Sequence, residues 1–223
     1  MEHYFTKNPS TKFRVFRIKD NVLENNLEFF TSNSIFSKNS IDDGSKMLVE
    51  SFFQNEFIDS NELNQEQTNQ KLINKKEINK EQKILDLGCA YGFVGISLKK
   101  KNKNLLVDMI DINSRAVFVA KRNIILNNLD KGINAFESNG FENIKEKYDY
   151  ILFNPPQSAG NLICNNLIKD SFNHLNKNAS LYVVSRHNKG GKNFKDLMKE
   201  TFGNAEIIEK KGKYAIYKST FIN

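Results

Sequence analysis

Two short segments of the chain carry residues whose types and spacing could do chemistry. The first is Asp86–Gly92, DLGCAYG, where an acidic residue precedes two glycines at a predicted strand-to-helix turn. The second is Asn154-Pro155-Pro156, which follows the apolar run YDYILF. A glycine-bearing turn lets the backbone lie against an adenosine-type cofactor, and an asparagine stiffened by prolines can hold a planar amino group. Together, and in this order, the two segments indicate transfer of a methyl group to nitrogen.

The choice of cofactor depends on the spacing of the first segment. Asp111 ends the next apolar run, LLVDMIDI, where a carboxylate can accept both ribose hydroxyls of an adenosine. A dinucleotide favours G-x-G-x-x-G, which admits a pyrophosphate at the helix N-terminus, whereas the spacing here is D-x-G-x-x-x-G. Asp86 would repel a pyrophosphate but suits the ammonium and sulfonium groups of S-adenosylmethionine, directly or through water. The spacing therefore favours S-adenosylmethionine over a dinucleotide and over a turn that only connects two elements.

A third polar turn, Ser138-Asn139-Gly140, follows the predicted strand KGINAFESN. The Asn139 amide could hydrogen-bond the adenine amino group or a ring nitrogen. An ordinary turn explains the same residues, so both interpretations stay open. Phe141 could cover the adenine ring or belong to the core.

The Asn-Pro-Pro segment suggests how an acceptor amine would be held. If the Asn154 side-chain oxygen and the Pro155 carbonyl each accept one N–H, the lone pair of the amine turns towards the methyl donor. In-line attack then needs mostly alignment, which can lower a barrier by roughly 7–11 kcal/mol. No strong base is required, because the amine becomes acidic as the new bond forms. A loop that is merely stiffened by proline is the structural alternative.

Alternating strands and helices must position these turns. From Lys83 onwards, runs with strand periodicity alternate with helical ones, which predicts a doubly wound α/β sheet. The last two runs, AEIIEKK and KYAIYKST, have no helix between them and predict an antiparallel hairpin turned by Lys211-Gly212 at the sheet edge. We expect a Rossmann-like, seven-stranded, mostly parallel sheet.

The N-terminal part predicts a separate small β element. TKFRVFRIK and NNLEFFTS have the composition of two strands, and a helix should start at Asp42-Asp43-Gly44-Ser45 and run to about Phe57. We expect a β-hairpin extension over 1–34 and a methyltransferase domain over 35–223, with a polar linker or insertion over 59–82. The aromatic and basic side chains of the first strand could contact RNA or form one face of a half-buried sheet.

Composition limits the classes of function. The chain has 223 residues and a formal net charge of +7, which is compatible with nucleic-acid binding or with a general lysine bias. No apolar run is long enough to span a bilayer, and MEHYFTKNPSTKF lacks the apolar region of a secretory signal. The two cysteines, Cys89 and Cys164, lie in apolar contexts. We expect a cytoplasmic protein with no membrane and no metal partner.

Several segments resemble a known family. DLGCAYG, MIDIN, ESNGFENI and NPPQSAG, in this order and spacing, are similar to the class I S-adenosylmethionine-dependent methyltransferases. The resemblance is closer to the small-domain group that includes the RsmC-type guanine-N2 methyltransferases of small-subunit ribosomal RNA. SIFSKNSIDDGSKML resembles the F-S-x-x-x-x-D-x-G-S-x-L-L segment of that group, and the part from VVSRHNKGG to KYAIYKS resembles its C-terminal third. The resemblance covers nearly the whole chain except residues 59–82.

The resemblance implies a set of site residues. Asn154, Pro155 and Pro156 would be catalytic and hold the guanine amine. Phe36, Ser37 and Gly44 would border the methionine end of the cofactor or the substrate entrance. The implied residues for binding S-adenosylmethionine are Phe36, Gly44, Asp86, Gly88, Cys89, Ala90, Gly92, Asp111, Ile112, Asn139, Gly140 and Asn154.

The chain also departs from the family pattern. Ala90 replaces a glycine that is common in the loop, and Asn139 stands where an aspartate is usual. Gln157 is not the Phe or Tyr that stacks a target base in many adenine methyltransferases, and Ser158 stands where relatives often carry Arg or His. The chain is about half as long as the two-domain enzymes and resembles the single-domain members.

The resemblance predicts methylation of a guanine amino group in ribosomal RNA, with the RNA or the small ribosomal subunit as partner. The base would have to be unpaired or flipped. The alternatives are another acceptor (adenine in nucleic acid or a protein glutamine), a catalytically silent RNA-binding relative, and a nicotinamide oxidoreductase, whose pyrophosphate loop this turn does not match. The basic residues Lys99–Lys101, Arg186, Lys189 and Lys192 could contact phosphates or form a solvated face.

Overall fold

The protein is described by a computed structural model over residues 7, 12–33, 35–57, 81–156, 160–186 and 192–222. The strands are β1 (Val15–Val22), β2 (Asn25–Ser32), β3 (Lys83–Leu87), β4 (Leu106–Asp111), β5 (Ile133–Glu137), β6 (Tyr148–Phe153), β7 (Leu175–Arg186), β8 (Glu206–Lys211) and β9 (Tyr214–Thr220). The helices are α1 (Asp43–Phe57), α2 (Phe93–Lys101), α3 (Ser114–Leu126), α4 (Asn161–Ser171) and α5 (Lys192–Phe202). Of the predicted insertion 59–82, residues 59–80 lie outside the described residues.

Seven strands form one sheet in the order β5-β4-β3-β6-β7-β9-β8. The five strands from β5 to β7 run parallel, whereas β9 is antiparallel to both β7 and β8. The predicted Rossmann-like sheet with its C-terminal antiparallel hairpin is confirmed. The chain builds outwards from β3 to β5 and then returns to the other side of β3 with β6, so the strand order reverses between β3 and β6.

Each face of the sheet is covered by its own helices. Ile84 of β3 and Leu152 of β6 join a buried cluster with residues of α1, α2 and α3. Their neighbours Leu85 and Ile151 point to the opposite face and pack with α4 and α5. Alternate residues of a strand point to opposite faces, so buried strands are apolar on both. This three-layer packing fixes the strand ends that carry the polar turns.

The strands β1 and β2 form the antiparallel hairpin that the sequence predicts. Leu23 and Glu24 turn it with φ values of 48° and 64°, the left-handed conformation of a tight two-residue hairpin turn. Phe29 of β2 is fully buried and contacts the rings of Tyr91 and Phe93 edge-on. The hairpin therefore packs directly on the turn that precedes α2, and the division at residue 34 stays a prediction.

Two asparagine amides cover the free edge of β2. Asn123 of α3 accepts the N–H of Phe30 at 2.7 Å and donates to its carbonyl at 2.9 Å. One helical turn later, Asn127 accepts the N–H of Glu28 at 3.3 Å and donates to its carbonyl at 2.8 Å. Each side-chain amide thus makes the pair of bonds that a neighbouring strand would make. Asn123 also donates to the carbonyl of Tyr91 at 2.8 Å, which joins the hairpin to the turn before α2.

Candidate active site

A cleft opens at the carboxyl ends of β3 and β6, where the strand order reverses. This is the place at which doubly wound sheets bind ligands. Ten predicted residues line it: Phe36, Gly88, Ala90, Asp111, Ile112, Asn139, Gly140, Asn154, Pro155 and Pro156. Four others, Gly44, Asp86, Cys89 and Gly92, are buried and do not line the cleft. Gln157 and Ser158 lie outside the described residues.

The turn after β3 has the left-handed backbone that its glycines allow. Gly88 and Gly92 have φ values of 72° and 87°, and Ala90 has a φ of 50°. That conformation costs a residue with a Cβ, such as Ala90, roughly 1–2 kcal/mol relative to glycine. The Ala90 N–H donates to Asp111 Oδ2 at 2.9 Å, and this bond helps to hold the turn. A Cβ on Gly92 would meet Ile96 at 3.1 Å, so this position also needs glycine for packing.

Asp86 lies beneath the turn and does not face the cleft. Its Oδ2 accepts the N–H of Gly95, in the first turn of α2, at 3.0 Å. The first N–H groups of a helix need acceptors from outside it, and the N-cap Gly92 offers no side chain. Burial, opposed by the Gly95 N–H and reinforced by the nearby Asp111 carboxylate, raises the pKa of Asp86 to about 7. A direct contact between Asp86 and a cofactor stays a prediction.

Asp111 is the predicted carboxylate that does line the cleft. Its Oδ1 accepts the N–H of Asn113 at 2.8 Å, and its Oδ2 accepts the N–H of Ala90. Burial raises its pKa to about 6, against the opposing effect of these backbone bonds. A carboxylate oxygen has more than one lone pair, so Asp111 can accept further hydroxyl groups from the cleft.

The turn after β5 forms another wall. Asn139 donates to Glu142 Oε1 at 2.7 Å, which leaves its amide oxygen as the second hydrogen-bonding group. A Cβ on Gly140 would lie 2.7 Å from Leu167, so a larger residue would displace the α4 side of the cleft. Phe141 stacks on His174 at 4.4 Å between ring centroids and does not line the cleft. This placement favours the core role for Phe141.

The Asn154 amide is fixed by two side chains from the start of α1. Its Nδ2 donates to Ser45 Oγ at 2.8 Å and to Asp42 Oδ2 at 3.2 Å. A flipped amide would place its oxygen against the Asp42 carboxylate, which is unfavourable. With the NH₂ group held from behind, the oxygen of Asn154 is the group left to accept a hydrogen bond from a ligand.

Asp42 is itself held firmly. It accepts the Ser45 N–H at 2.9 Å as a helix N-cap, and the Tyr214 hydroxyl donates to its Oδ1 at 3.2 Å. A Cβ on Gly44 would meet Asp42 Oδ2 at 2.9 Å and Tyr214 at 3.0 Å. Gly44 therefore makes room for the group that positions Asn154.

Sequence reasoning missed the positioning group and the apolar walls. Asp42 and Ser45 stand in the same D-x-G-S segment as Gly44, and that motif could have drawn attention to them. The apolar walls come from strand ends and from one helix turn: Leu87, Ile110, Phe153, Ile163 and Leu167. The strand-end positions and the four-residue spacing on α4 were visible signals. An apolar cleft with a few convergent polar groups is typical of a small-molecule site.

The predicted phosphate contacts are not all placed near the cleft. The side chains of Lys99–Lys101, at the end of α2 away from the turn, bond within the chain to backbone carbonyls and to Glu24. Arg186 lies over the Tyr214 ring at 6.0 Å. Lys192 begins α5, and Lys189 lies outside the described residues. Lys99 and Lys100 thus bond to backbone carbonyls and Lys101 pairs with an exposed glutamate, and phosphate contact by these lysines stays a prediction.

The described residues also bear on membrane and metal binding. None of the helices found among them is long and apolar enough to cross a membrane. Within the same ranges, no group of three or more His, Cys, Asp or Glu side chains is arranged to hold a metal ion.

Comparison with known proteins gives matches along most of the chain. The model of the family described as "Methyltransferase small domain" matches residues 26–218. The chain is 28% identical over 220 residues to the uncharacterized protein YbxB of Bacillus subtilis, covering 98% of each chain. It is also 28% identical over 205 residues to the ribosomal RNA small subunit methyltransferase C of Photorhabdus laumondii, covering 90% of this chain and 51% of that protein. The chain thus spans about half the length of the latter relative.

Solved structures share the fold. A 16S rRNA N2 methyltransferase (RsmC) of T. Thermophilus, in complex with AdoMet and guanosine, matches with a TM-score of 0.74 and 18% identity over 94% of this chain and 51% of that one. A tRNA methyltransferase of M. jannaschii matches with a TM-score of 0.58 and 15% identity, over 96% of this chain and 58% of that one. At these identities the likeness shows the fold alone.

Proposed function

The chain belongs to the small-domain methyltransferase family, whose members use S-adenosylmethionine, and on that premise we propose that it methylates the exocyclic N2 amino group of a guanine in small-subunit ribosomal RNA. The observation that carries the proposal is the Asn154 amide, held by Asp42 and Ser45 with its oxygen left to accept a hydrogen bond. The names of the RsmC relatives support the choice of acceptor.

The lining of the cleft fits the cofactor. Asp111 offers a carboxylate to ribose hydroxyls, and Gly88 adds no Cβ where a ligand would lie against the backbone. Apolar side chains at the ends of the strands, Leu87 and Ile110, supply the surface against which an adenosine packs. When bound, S-adenosylmethionine supplies the electrophilic methyl group.

The acceptor amine would be held at the opposite wall. The Asn154 side-chain oxygen, left to accept an N–H, would hold one hydrogen of the amine, and the Pro155 carbonyl, which is followed by a proline without an N–H, would hold the other. A guanine N2 amine has two N–H groups to donate, and holding both fixes the plane of the base. Asp42 and Ser45 are positioning residues, which act by keeping the amide in the accepting orientation.

A methyl-transfer assay tests the proposal. Labelled S-adenosylmethionine is supplied with ribosomal RNA, DNA and total protein, and the labelled RNA is digested to nucleosides. We expect label in RNA as N2-methylguanosine, and a loss of about tenfold or more in rate for Asn154→Ala, because one hydrogen bond that aligns the amine disappears. Asn134→Ala, an exposed asparagine on β5, is the matched control and should label normally.

Other results of this assay would change the proposed acceptor or overturn the proposal. Label in adenine or in a protein glutamine would replace the guanine acceptor by one of those alternatives. No labelled RNA, or undiminished labelling by Asn154→Ala, would overturn the proposal. The proposal also assigns the protein to the cytoplasm, together with the small ribosomal subunit as its partner.

A further inference from the structure

An exposed surface beside the cleft alternates arginines with phenylalanines. It comprises Phe13, Arg17 and Phe30 of the hairpin region and Arg115, Phe118 and Arg122 of α3, and we call it the Arg–Phe surface. The Arg122 guanidinium lies 5.7 Å from the Phe118 ring centroid and 5.8 Å from that of Phe30. Arg115 lies 5.6 Å from Phe13, whose ring contacts Phe118 edge-on at 6.1 Å. The three guanidinium groups and the three rings thus form one continuous layer.

The aromatic rings of this surface are open to solvent. Phe118 is 50% exposed and Phe13 is 37% exposed. Val15 and Ile125 extend the apolar area, with exposures of 50% and 74%. Contiguous exposed apolar residues of this kind on a folded domain mark interaction sites. Internal packing alone does not explain rings that present this much area to water.

The charge of the surface points to a polyanion. Neither α3 nor the segment 12–19 contains an Asp or Glu, whereas they carry seven Lys and Arg residues between them. Arg17 and Lys19 pair with Glu28. Arg122 is exposed and makes no ion pair with any residue in the described ranges. A surface that is positive and also aromatic matches a strand that offers both phosphates and bases.

The Arg–Phe surface begins at the mouth of the cleft. Ala116 lines the cleft, and Arg115 is its neighbour at the start of α3. Phe118 and Arg122 follow along the exposed side of the same helix. A polymer whose target base enters the cleft can therefore continue along α3 onto this surface.

We propose that the Arg–Phe surface binds the unpaired RNA strand that flanks the methylated base. The inference rests on the proposed function, since it takes RNA as the substrate. Unpaired bases stack on aromatic rings and on guanidinium planes, and phosphates pair with arginine. The surface thus holds the strand while the cleft holds the base.

RNA-binding measurements test the surface with two kinds of variant, one that preserves the net charge and one that removes a positive charge. The probe is a fluorescent, unstructured RNA of about 12 nucleotides, followed by anisotropy over a series of salt concentrations. Phe118→Leu should weaken binding about fivefold or more, because one stacking ring is lost while the charge stays the same. Phe118→Tyr should bind like the wild type. Arg122→Gln should reduce the salt slope by about one unit.

A control variant isolates the surface from general electrostatic attraction. Lys199→Gln removes one exposed positive charge from α5, on the opposite face of the sheet, and should change the affinity less than about twofold. Equal affinities for wild type, Phe118→Leu and Arg122→Gln would overturn the inference. So would sedimentation of the wild type as a dimer that Phe118→Leu dissociates without changing RNA affinity, because the surface would then join two copies of the chain.

The surface and the proposed function can fail separately. If Phe118 is needed for RNA binding but no RNA receives a methyl group, the proposed function fails and the surface stands. If RNA is methylated at subsaturating concentration equally fast by wild type and Phe118→Leu, the surface fails and the function stands. Affinity for S-adenosylhomocysteine, measured by calorimetry, should be unchanged in both surface variants.

Discussion

Removing the Asn123 side chain should weaken both the fold and the cofactor turn. The side chain is fully buried and makes three bonds, to the N–H and carbonyl of Phe30 and to the carbonyl of Tyr91. At about 1 kcal/mol for each bond, Asn123→Ala loses about 3 kcal/mol. The better helix propensity of alanine restores about 0.5 kcal/mol. We expect a net loss of about 2.5 kcal/mol in the free energy of unfolding, or a fall in Tm of about 5–10 °C.

The contact with Tyr91 adds a second readout. Tyr91 belongs to the turn that borders the cleft. Loss of its hydrogen bond to Asn123 removes about 1 kcal/mol of stabilisation from that turn, which should weaken S-adenosylhomocysteine binding about fivefold. Asn127→Ala is the matched control, because Asn127 holds the carbonyl and N–H of Glu28 but does not contact Tyr91. It should lower stability without changing cofactor affinity.

Urea unfolding and calorimetry measure the two quantities. A change below about 0.5 kcal/mol for Asn123→Ala would show that the amide does not stabilise the edge of β2. Equal losses of cofactor affinity in Asn123→Ala and Asn127→Ala would refute a specific link through Tyr91, because both variants would then act only by loosening the hairpin.

Three further predictions concern the buried carboxyl and the group that holds Asn154. The pKa of Asp86 is raised from 3.8 to about 7, so between these pH values the folded protein retains a proton that the unfolded chain has lost, and the free energy of unfolding falls as pH rises. Asp86→Asn should remove up to about 4 kcal/mol of this pH dependence. The same change in the free energy of unfolding for variant and wild type, measured by urea unfolding across this pH range, would contradict the prediction. Ser45→Ala should lower kcat for RNA methylation about fivefold with little change in the KM for S-adenosylmethionine, as one bond to Asn154 is lost; a change confined to that KM would argue against a positioning role. Gly44→Ala should lower kcat further, because its Cβ would displace Asp42; a crystal structure of the variant with Asp42 unmoved and full activity would exclude this explanation.

The sheet was predictable because its cause is local. Buried parallel strands read as short apolar runs, and KILDL and YDYILF alternate with helical segments along the chain. The polar residues at strand ends followed from the same rule, which is why Asp111 and Asn154 were found without any structure. Both lie where the cleft opens.

The remaining parts of the site depend on packing between distant segments. The bond from Asn154 to Ser45 joins residues 109 positions apart, and it exists only because α1 lies against the sheet beside β6. The orientation of Asp86 depends on whether its carboxyl bonds to a cofactor or to a backbone N–H of α2, and the sequence does not show which. A glycine at the N-cap of α2 leaves the Gly95 N–H without a local acceptor, and the carboxyl turns inwards to it.

The buried thiol of Cys89 lies in the turn that borders the cleft, which raises the question of whether it could react with a methyl donor. Burial raises the pKa of this thiol, and the neighbouring Asp86 and Asp111 carboxyls raise it further. A thiolate is a far stronger nucleophile than an amine-bearing base, and a sulfonium donor is an alkylating agent. Burial is the larger cause, and it also keeps Cys89 out of the lining of the cleft, so a methyl donor bound there would meet no thiolate from this residue.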